Sequence, residues 1–268
     1  MSRSIEEWKK VIVDNIIATA KESRLDNQLF GRVYGDCTKA NVGRILRRSG
    51  KPKAKPMQEG EPPTMLPAWN IEEARAASVK FEAQGEFRTW FEDQNYHLVN
   101  PYVNGIAREV AACEMAESMN CLIEEAKQYK RVIPSTEDRL TKQDVIKAVE
   151  WIGGNEYHAD TLVVSLKHRL DLVERSEIIP WWDLPGYVSE NKGPQFVGIM
   201  GGLNVYGIRQ LPREISLVYE KEEIWVNRTP MTCEFDDPSD PKKLLISEQC
   251  VAYAVDVGAL AKVSLKQK

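Results

Sequence analysis

Histidine is scarce in this sequence. His97, His158 and His168 are the three in 268 residues, and none stands in H-E-x-x-H or beside a cysteine at metal-ligand spacing. No metal site and no cofactor are therefore expected. The five cysteines, Cys37, Cys113, Cys121, Cys233 and Cys250, contain no C-x-x-C pair, are odd in number and are scattered over the chain. That pattern fits reduced, mostly buried thiols rather than a disulfide framework. Long apolar runs are missing too: "VIVDNIIATA" and "TLVVSL" are interrupted or too short to span a bilayer. No basic region followed by an apolar stretch opens the chain, so neither membrane insertion nor export is expected. Nor is there a surplus of one charge, with 36 Lys and Arg against 40 Asp and Glu for a net charge of −4. Binding of nucleic acid by bulk charge is excluded, and any electrostatic function must be regional.

Signatures of catalysis are equally absent. Nothing matches G-x-S-x-G or a cysteine-nucleophile pattern. The glycine cluster "FVGIMGGLNVYG" places Gly198, Gly201, Gly202 and Gly207 at spacings that fit neither G-x-G-x-x-G nor the phosphate loop, and no capped helix follows it. Glycines this dense between strands are expected to make turns, bulges and close backbone approaches. His158 and Asp160 in "YHADT" are expected to form a turn before a strand rather than an acid/base pair. Glu114, Glu117, Glu124 and Glu125 are expected on the wet face of a helix. By elimination, the residues favour a structural or binding protein over an enzyme.

What is present is a set of well-marked elements. "SRSIEEWKKVIVDNIIATAKE" reads as an amphipathic helix, with Ser4 and Glu7 at capping-box spacing and Ile5, Trp8, Ile12, Ile16 and Thr19 on one face. That stripe needs a partner: its own core, another subunit or an internal guest. From Lys39 to Lys55 seven bases occur without one acid, and a proline-rich stretch with Pro56, Pro62, Pro63 and Pro67 follows, which predicts a projecting arm or linker. "SVKFEAQGEFRTWF" alternates as one or two strands, and Asn104 to Tyr129 read as one long proline-free helix with Ile106, Val110, Cys113, Met119, Leu122 and Ala126 inward. Thr141 and Asp144 begin a shorter helix whose buried face is predicted at Val145, Ile146, Val149 and Ile152 and which ends at Gly153 and Gly154. The β-branched run "ADTLVVSL", a short helix in "KHRLDLVERSE" and strands at "LNVYGIRQ", "EISLVYE", "EIWVNRTP" and "EQCVAYAVDVGALAKVSL" make the second half α+β.

In that order the pieces resemble the major capsid proteins of tailed viruses, whose Hong Kong 97-type fold is shared with encapsulin nanocompartments. The resemblance covers roughly residues 70 to 265. It rests on "ADTLVVS" after a helix, the glycine turn followed by "LPREISLVYEKE", "RTPMTCEFDDP" and the alanine-rich ending "VGALAKV". It implies an α+β fold divided into an N-terminal arm helix (1–38), an extended loop with flanking strands (39–95) and a peripheral domain with a long spine helix (96–140). A mainly axial domain (141–230) and a return to the peripheral domain (231–268) complete it. It also implies a non-enzymatic, self-assembling virion protein, made into pentamers and hexamers in the host cytoplasm. The shell would hold double-stranded DNA non-specifically, with portal, scaffold or cement proteins as further partners and no membrane. An encapsulin-type shell around a cargo enzyme is the alternative within the fold, and a small α+β enzyme using His158 and Asp160 the lesser one. Under this resemblance Trp8, Ile12 and Ile16 pack the arm helix, and the four glycines form an axial-domain turn. Some family members crosslink a loop lysine to a neighbour's asparagine, but no motif here carries that chemistry.

Charge adds an independent expectation. Glu220 to Asp240 hold seven acids against Lys221 and Arg228, opposite in sign to the 39–55 segment. The basic arm of one subunit is expected to lie on the acidic edge of the next, pairing Arg44, Arg47, Arg48, Lys51, Lys53 and Lys55 with Glu234, Asp236 and Asp237.

Overall fold

A computed structural model describes residues 4–50, 68–84, 96–175, 177–185, 195–209, 211–236 and 243–266. The architecture is α+β. The first helix, α1 (Ile5–Ser23), begins where expected: the Glu7 amide donates to Ser4 Oγ (3.3 Å) and the Ser4 amide to Glu7 Oε2 (2.8 Å). Ile12, Ile16 and Ala20, four residues apart, form its buried stripe. A single helical turn, α2 (Asp26–Leu29), and strand β1 (Arg32–Tyr34) follow. The basic stretch then yields a strand, β2 (Arg44–Arg48), paired antiparallel with β3 (Trp69–Glu73) as a separate two-stranded sheet.

The long helix α3 (Tyr96–Gln128) starts eight residues before the position read from sequence and carries Pro101 inside it. Its 33 residues span roughly 50 Å. Val103, Ile106, Ala107 and Val110 pack against Ile12, Ile16 and Ala20 of α1. Lower down, Met115, Met119, Leu122 and Ala126 enter a second core that also holds residues of both large sheets. The helix thus packs against α1 and against both large sheets.

The five-stranded sheet is centred on β13 (Lys243–Ala254). The first half of β13 pairs with both β4 (Ala77–Gln84) and β12 (Thr232–Phe235), and its second half pairs with β11 (Ile224–Arg228), which in turn carries β1. The seven-stranded sheet runs β5 (Val132–Pro134), β14 (Leu260–Ser264), β10 (Ile215–Tyr219), β6 (Thr161–Ser165), β9 (Leu203–Ile208), β8 (Phe196–Met200) and β7 (Ile179–Pro180). Its central strands β6 and β10 are buried throughout because both faces are covered. Val163 and Leu217 face the core containing α3, whereas Leu162, Val164 and Val218 face α4 (Lys142–Gly153). A short helix, α5 (Leu166–Glu174), is capped by Ser165.

One core assignment is corrected. Ile146, placed on the buried face of α4 from its spacing, is 44% exposed, and Ala148 takes that place beside Val145 and Ile152. With residues 145, 148 and 152 inward, position 146 lies about 100° round the helix from the inward direction of 145.

Candidate functional site

The described residues contain no group of three or more His, Cys, Asp or Glu side chains placed to hold a metal ion. No helix among them is long and apolar enough to cross a membrane. The exposed His158 donates its backbone amide to Glu220 (2.8 Å), and Asp160 Oδ1 accepts from the Lys221 amide (2.9 Å) and from Thr161 Oγ1 (2.8 Å). Both residues therefore fasten the loop before β6 to the loop after β10. His168 is buried with no hydrogen-bond partner for either ring nitrogen among the described residues, and burial pushes its pKa down. The cysteines are free, and burial holds the Cys233 and Cys250 thiols up at about 12, far from thiolate reactivity.

The chemistry of this molecule lies instead in how its strands and helices are fastened to one another. Arg47 points inward from β2 and donates to the carboxylate of Glu125 on α3 and to the carbonyl of Ala254 on β13. Its Nε reaches Glu72 of β3 (3.2 Å), and its guanidinium lies 5.3 Å from the Tyr129 ring centroid. Glu125 also accepts from the Ala254 amide (2.9 Å), and burial pushes its carboxyl above the usual range against the pull of Arg47. Arg48 pairs with Glu223 (2.6 Å), its amide donates to Val255 O (2.8 Å), and the Gly50 amide donates to Asp256 (2.5 Å). Asn227 donates to the carbonyls of Val42 (3.2 Å) and Arg44 (2.8 Å). The root of the arm is thus bound on both edges.

This changes the reading of the basic stretch. Arg47 and Arg48 have their charges engaged inside the chain, so reversing them would first damage the arm's own anchorage. Arg44 is exposed and remains available at the surface, while Lys51, Lys53 and Lys55 lie outside the described residues. At the acidic edge Glu234 and Asp236 are exposed on the hairpin between β12 and β13, and Asp237 lies outside the described residues.

A second fastening was not legible from sequence. Just after α1, Arg24 grips Glu114 of α3 with Nε (2.6 Å) and Nη2 (2.9 Å), and the same Nη2 reaches Glu248 of β13 (2.6 Å). Arg228 of β11, 1% exposed, bonds Asp26 (2.5 Å) and lies 3.8 Å from the other Glu248 oxygen. Glu114 and Glu125, expected on the wet face of the helix, are therefore corrected to buried ion-pair partners, whereas Glu124 is exposed and Glu117 half-buried. Their partners stand 90 and 78 residues away in the chain, beyond the reach of helical periodicity.

The glycine cluster makes a tight hairpin. Gly201 (φ 58°) and Gly202 (φ 90°) are the two residues between β8 and β9, with the positive φ pair that two-residue hairpins favour. Gly198 sits at a register shift in β8, where a Cβ would stand 2.1 Å from the Ile179 carbonyl oxygen. Gly207 lies on β9 against Val197 and Leu166 side chains. Trp8, Ile12 and Ile16 pack onto the chain's own α3 and β13.

No family model and no curated protein matches this sequence. Solved structures do match. A structure from Mycobacterium phage Adephagia aligns with a TM-score of 0.57 at 12% identity, covering 93% of this chain and 90% of the other. A virus-like particle from Pyrococcus furiosus aligns at 0.58 and 11%, covering 95% and 98%. The procapsid of satellite phage P4, which includes a size determination protein, aligns at 0.57 and 11%, covering 94% and 90%. The chain has the Hong Kong 97-type fold. At such low identity the likeness is one of fold.

Proposed function

We propose that this chain is the major capsid protein of a tailed virus, a subunit that closes with copies of itself, as pentamers and hexamers, into an icosahedral shell around double-stranded DNA. The observation that carries the proposal is the match of more than nine-tenths of the chain to phage structures and to a virus-like particle. In this reading residues 1–38 are the N-arm, 39–95 the extended loop, 96–140 the peripheral domain with its spine helix, 141–230 mainly the axial domain and 231–268 the return to the peripheral domain. Arg44 with Lys51, Lys53 and Lys55 meets the Glu234 to Asp237 edge of a neighbour, and the hairpin at Gly198 to Gly207 belongs to the axial domain. The protein does no catalysis; it resides in the virion after assembly in the host cytoplasm, with portal, scaffold or cement proteins as further partners.

Size-exclusion chromatography with negative-stain microscopy tests this reading. Round, megadalton particles protecting DNA from nuclease are expected, and a sharp monomer peak at all concentrations overturns it. Particles holding one co-purified enzyme and no DNA select the encapsulin reading of the same fold.

A further inference from the structure

One surface beside the arm root, where the Arg48 guanidinium lies 5.5 Å from the Trp69 ring centroid, combines exposed aromatic rings with a further cation. Trp69 on β3 stacks on Trp225 of β11 (centroids 6.1 Å apart), and Tyr34 of β1 meets the same indole edge-on at 5.9 Å. The Arg32 guanidinium lies 5.0 Å from the Trp225 centroid and 5.8 Å from that of Tyr34, with no carboxylate partner among the described residues. Trp69 is 49% exposed and Ile71, on the same strand, 72%. Large apolar side chains this open are costly on a solitary subunit, and Trp, Tyr and Arg are the residues that dominate binding at interfaces.

The same sheet presents a complementary surface at its far end. Leu245 of β13 is 46% exposed and is flanked across the ladder by Glu234 of β12 on one side and, on the other, by Glu82 of β4, which pairs with Lys243 (3.1 Å). An apolar side chain beside the exposed carboxylate of Glu234 thus mirrors an apolar patch carrying an arginine. Tyr253 of β13 pairs with Trp225, and Leu244 pairs with Phe235. The nine residue steps between them cover roughly 30 Å of strand. A rigid strand therefore keeps the two surfaces apart within one molecule, and they can meet only between copies.

We propose that the Arg32–Tyr34–Trp69 surface receives the Glu234–Leu245–Glu82 face of a second copy. The contact is head-to-tail, so each copy gives one surface and takes the other, and repetition generates rings or a curved sheet rather than a closed dimer. This deepens the shell reading and rests on it for its biological use, but it names a different cation from the arm-root arginines.

The test is a charge swap in the full-length chain, read by sedimentation velocity for self-association and by electron microscopy for shells. Arg32→Glu and Glu234→Arg are each expected to raise the concentration needed for self-association about tenfold, a change of about 1.4 kcal/mol. The combined variant is expected to return to within about threefold of the parent, because the pair is restored in reverse. Leu245→Ser should weaken association with an unchanged melting temperature, which separates contact from folding. Single variants that associate like the parent, or a double variant no better than either single, overturn the contact. Loss of binding to a single-stranded oligonucleotide in Arg32→Glu with self-association intact overturns it in favour of a nucleic-acid surface. Swap-dependent association without round shells supports the contact while overturning the shell reading, and a parent that never self-associates overturns both.

Discussion

Glu114 and Glu248 lie in one buried site with two guanidiniums and with each other, and their proton affinities separate accordingly. Burial and the neighbouring Glu114 push Glu248 up to about 9, whereas hydrogen bonding with Glu248 and the bidentate grip of Arg24 hold Glu114 below the usual range despite its burial. Glu248 thus keeps its proton when folded and loses it when unfolded between the ordinary carboxylate range and about 9. Its contribution to stability is complete at acid pH and falls as the pH rises through that window. Glu114 has the opposite sign, with stabilisation present above the ordinary range and lost on acidification. Glu248→Gln, which imitates the protonated acid, should flatten the decline of melting temperature between pH 6 and 9. Glu114→Ala removes the bidentate partner of Arg24, leaving it Glu248, and should cost about 1–3 kcal/mol in denaturant unfolding at pH 7.

At the scale of elements, the glycine hairpin separates two kinds of demand. Gly201 and Gly202 need positive φ but have open space around them, so alanine at either should cost about 1 kcal/mol. Gly198 faces the Ile179 carbonyl at 2.1 Å, so Gly198→Ala must displace β7 and should cost more than either, about 2–3 kcal/mol in thermal or denaturant unfolding. The turn was legible in the cluster itself, but the critical glycine was not, because the atom it must avoid belongs to a strand some twenty residues earlier. The same division holds elsewhere. Both capping boxes, at Ser4/Glu7 and Thr141/Asp144, and the buried run Thr161–Ser165 were readable because their determinants are local. Strand β2, "RILRR", lies in the stretch whose sequence predicts a projecting arm or linker. Its charges make sense only once Glu125, Glu72 and Glu223 are brought alongside, and periodicity carries no information about them.

For the whole molecule, the decisive feature is that Met115 to Ala126 of α3 share one core with Val163, Leu217 and Tyr219 of the seven-stranded sheet and Val226, Ala252 and Ala254 of the five-stranded one. Neither sheet can lose its packing alone. Calorimetry of the dissociated subunit should therefore show one transition, with calorimetric and van't Hoff enthalpies in agreement; two separated transitions would mean the helix does not couple the sheets. The fold was legible through the order of its elements. The surfaces proposed to join copies were only partly so, since Trp69, Trp225, Tyr34 and Arg32 are scattered along the chain and converge only in three dimensions.

The position of β13 in the chain also sets an order in time. It is the strand on which β4, β11 and β12 all depend, and it supplies the carbonyl and amide that hold the arm root, yet it is Lys243–Ala254 of a chain of 268. It follows every one of these partners in the chain, so during synthesis they must wait for it before that sheet can close.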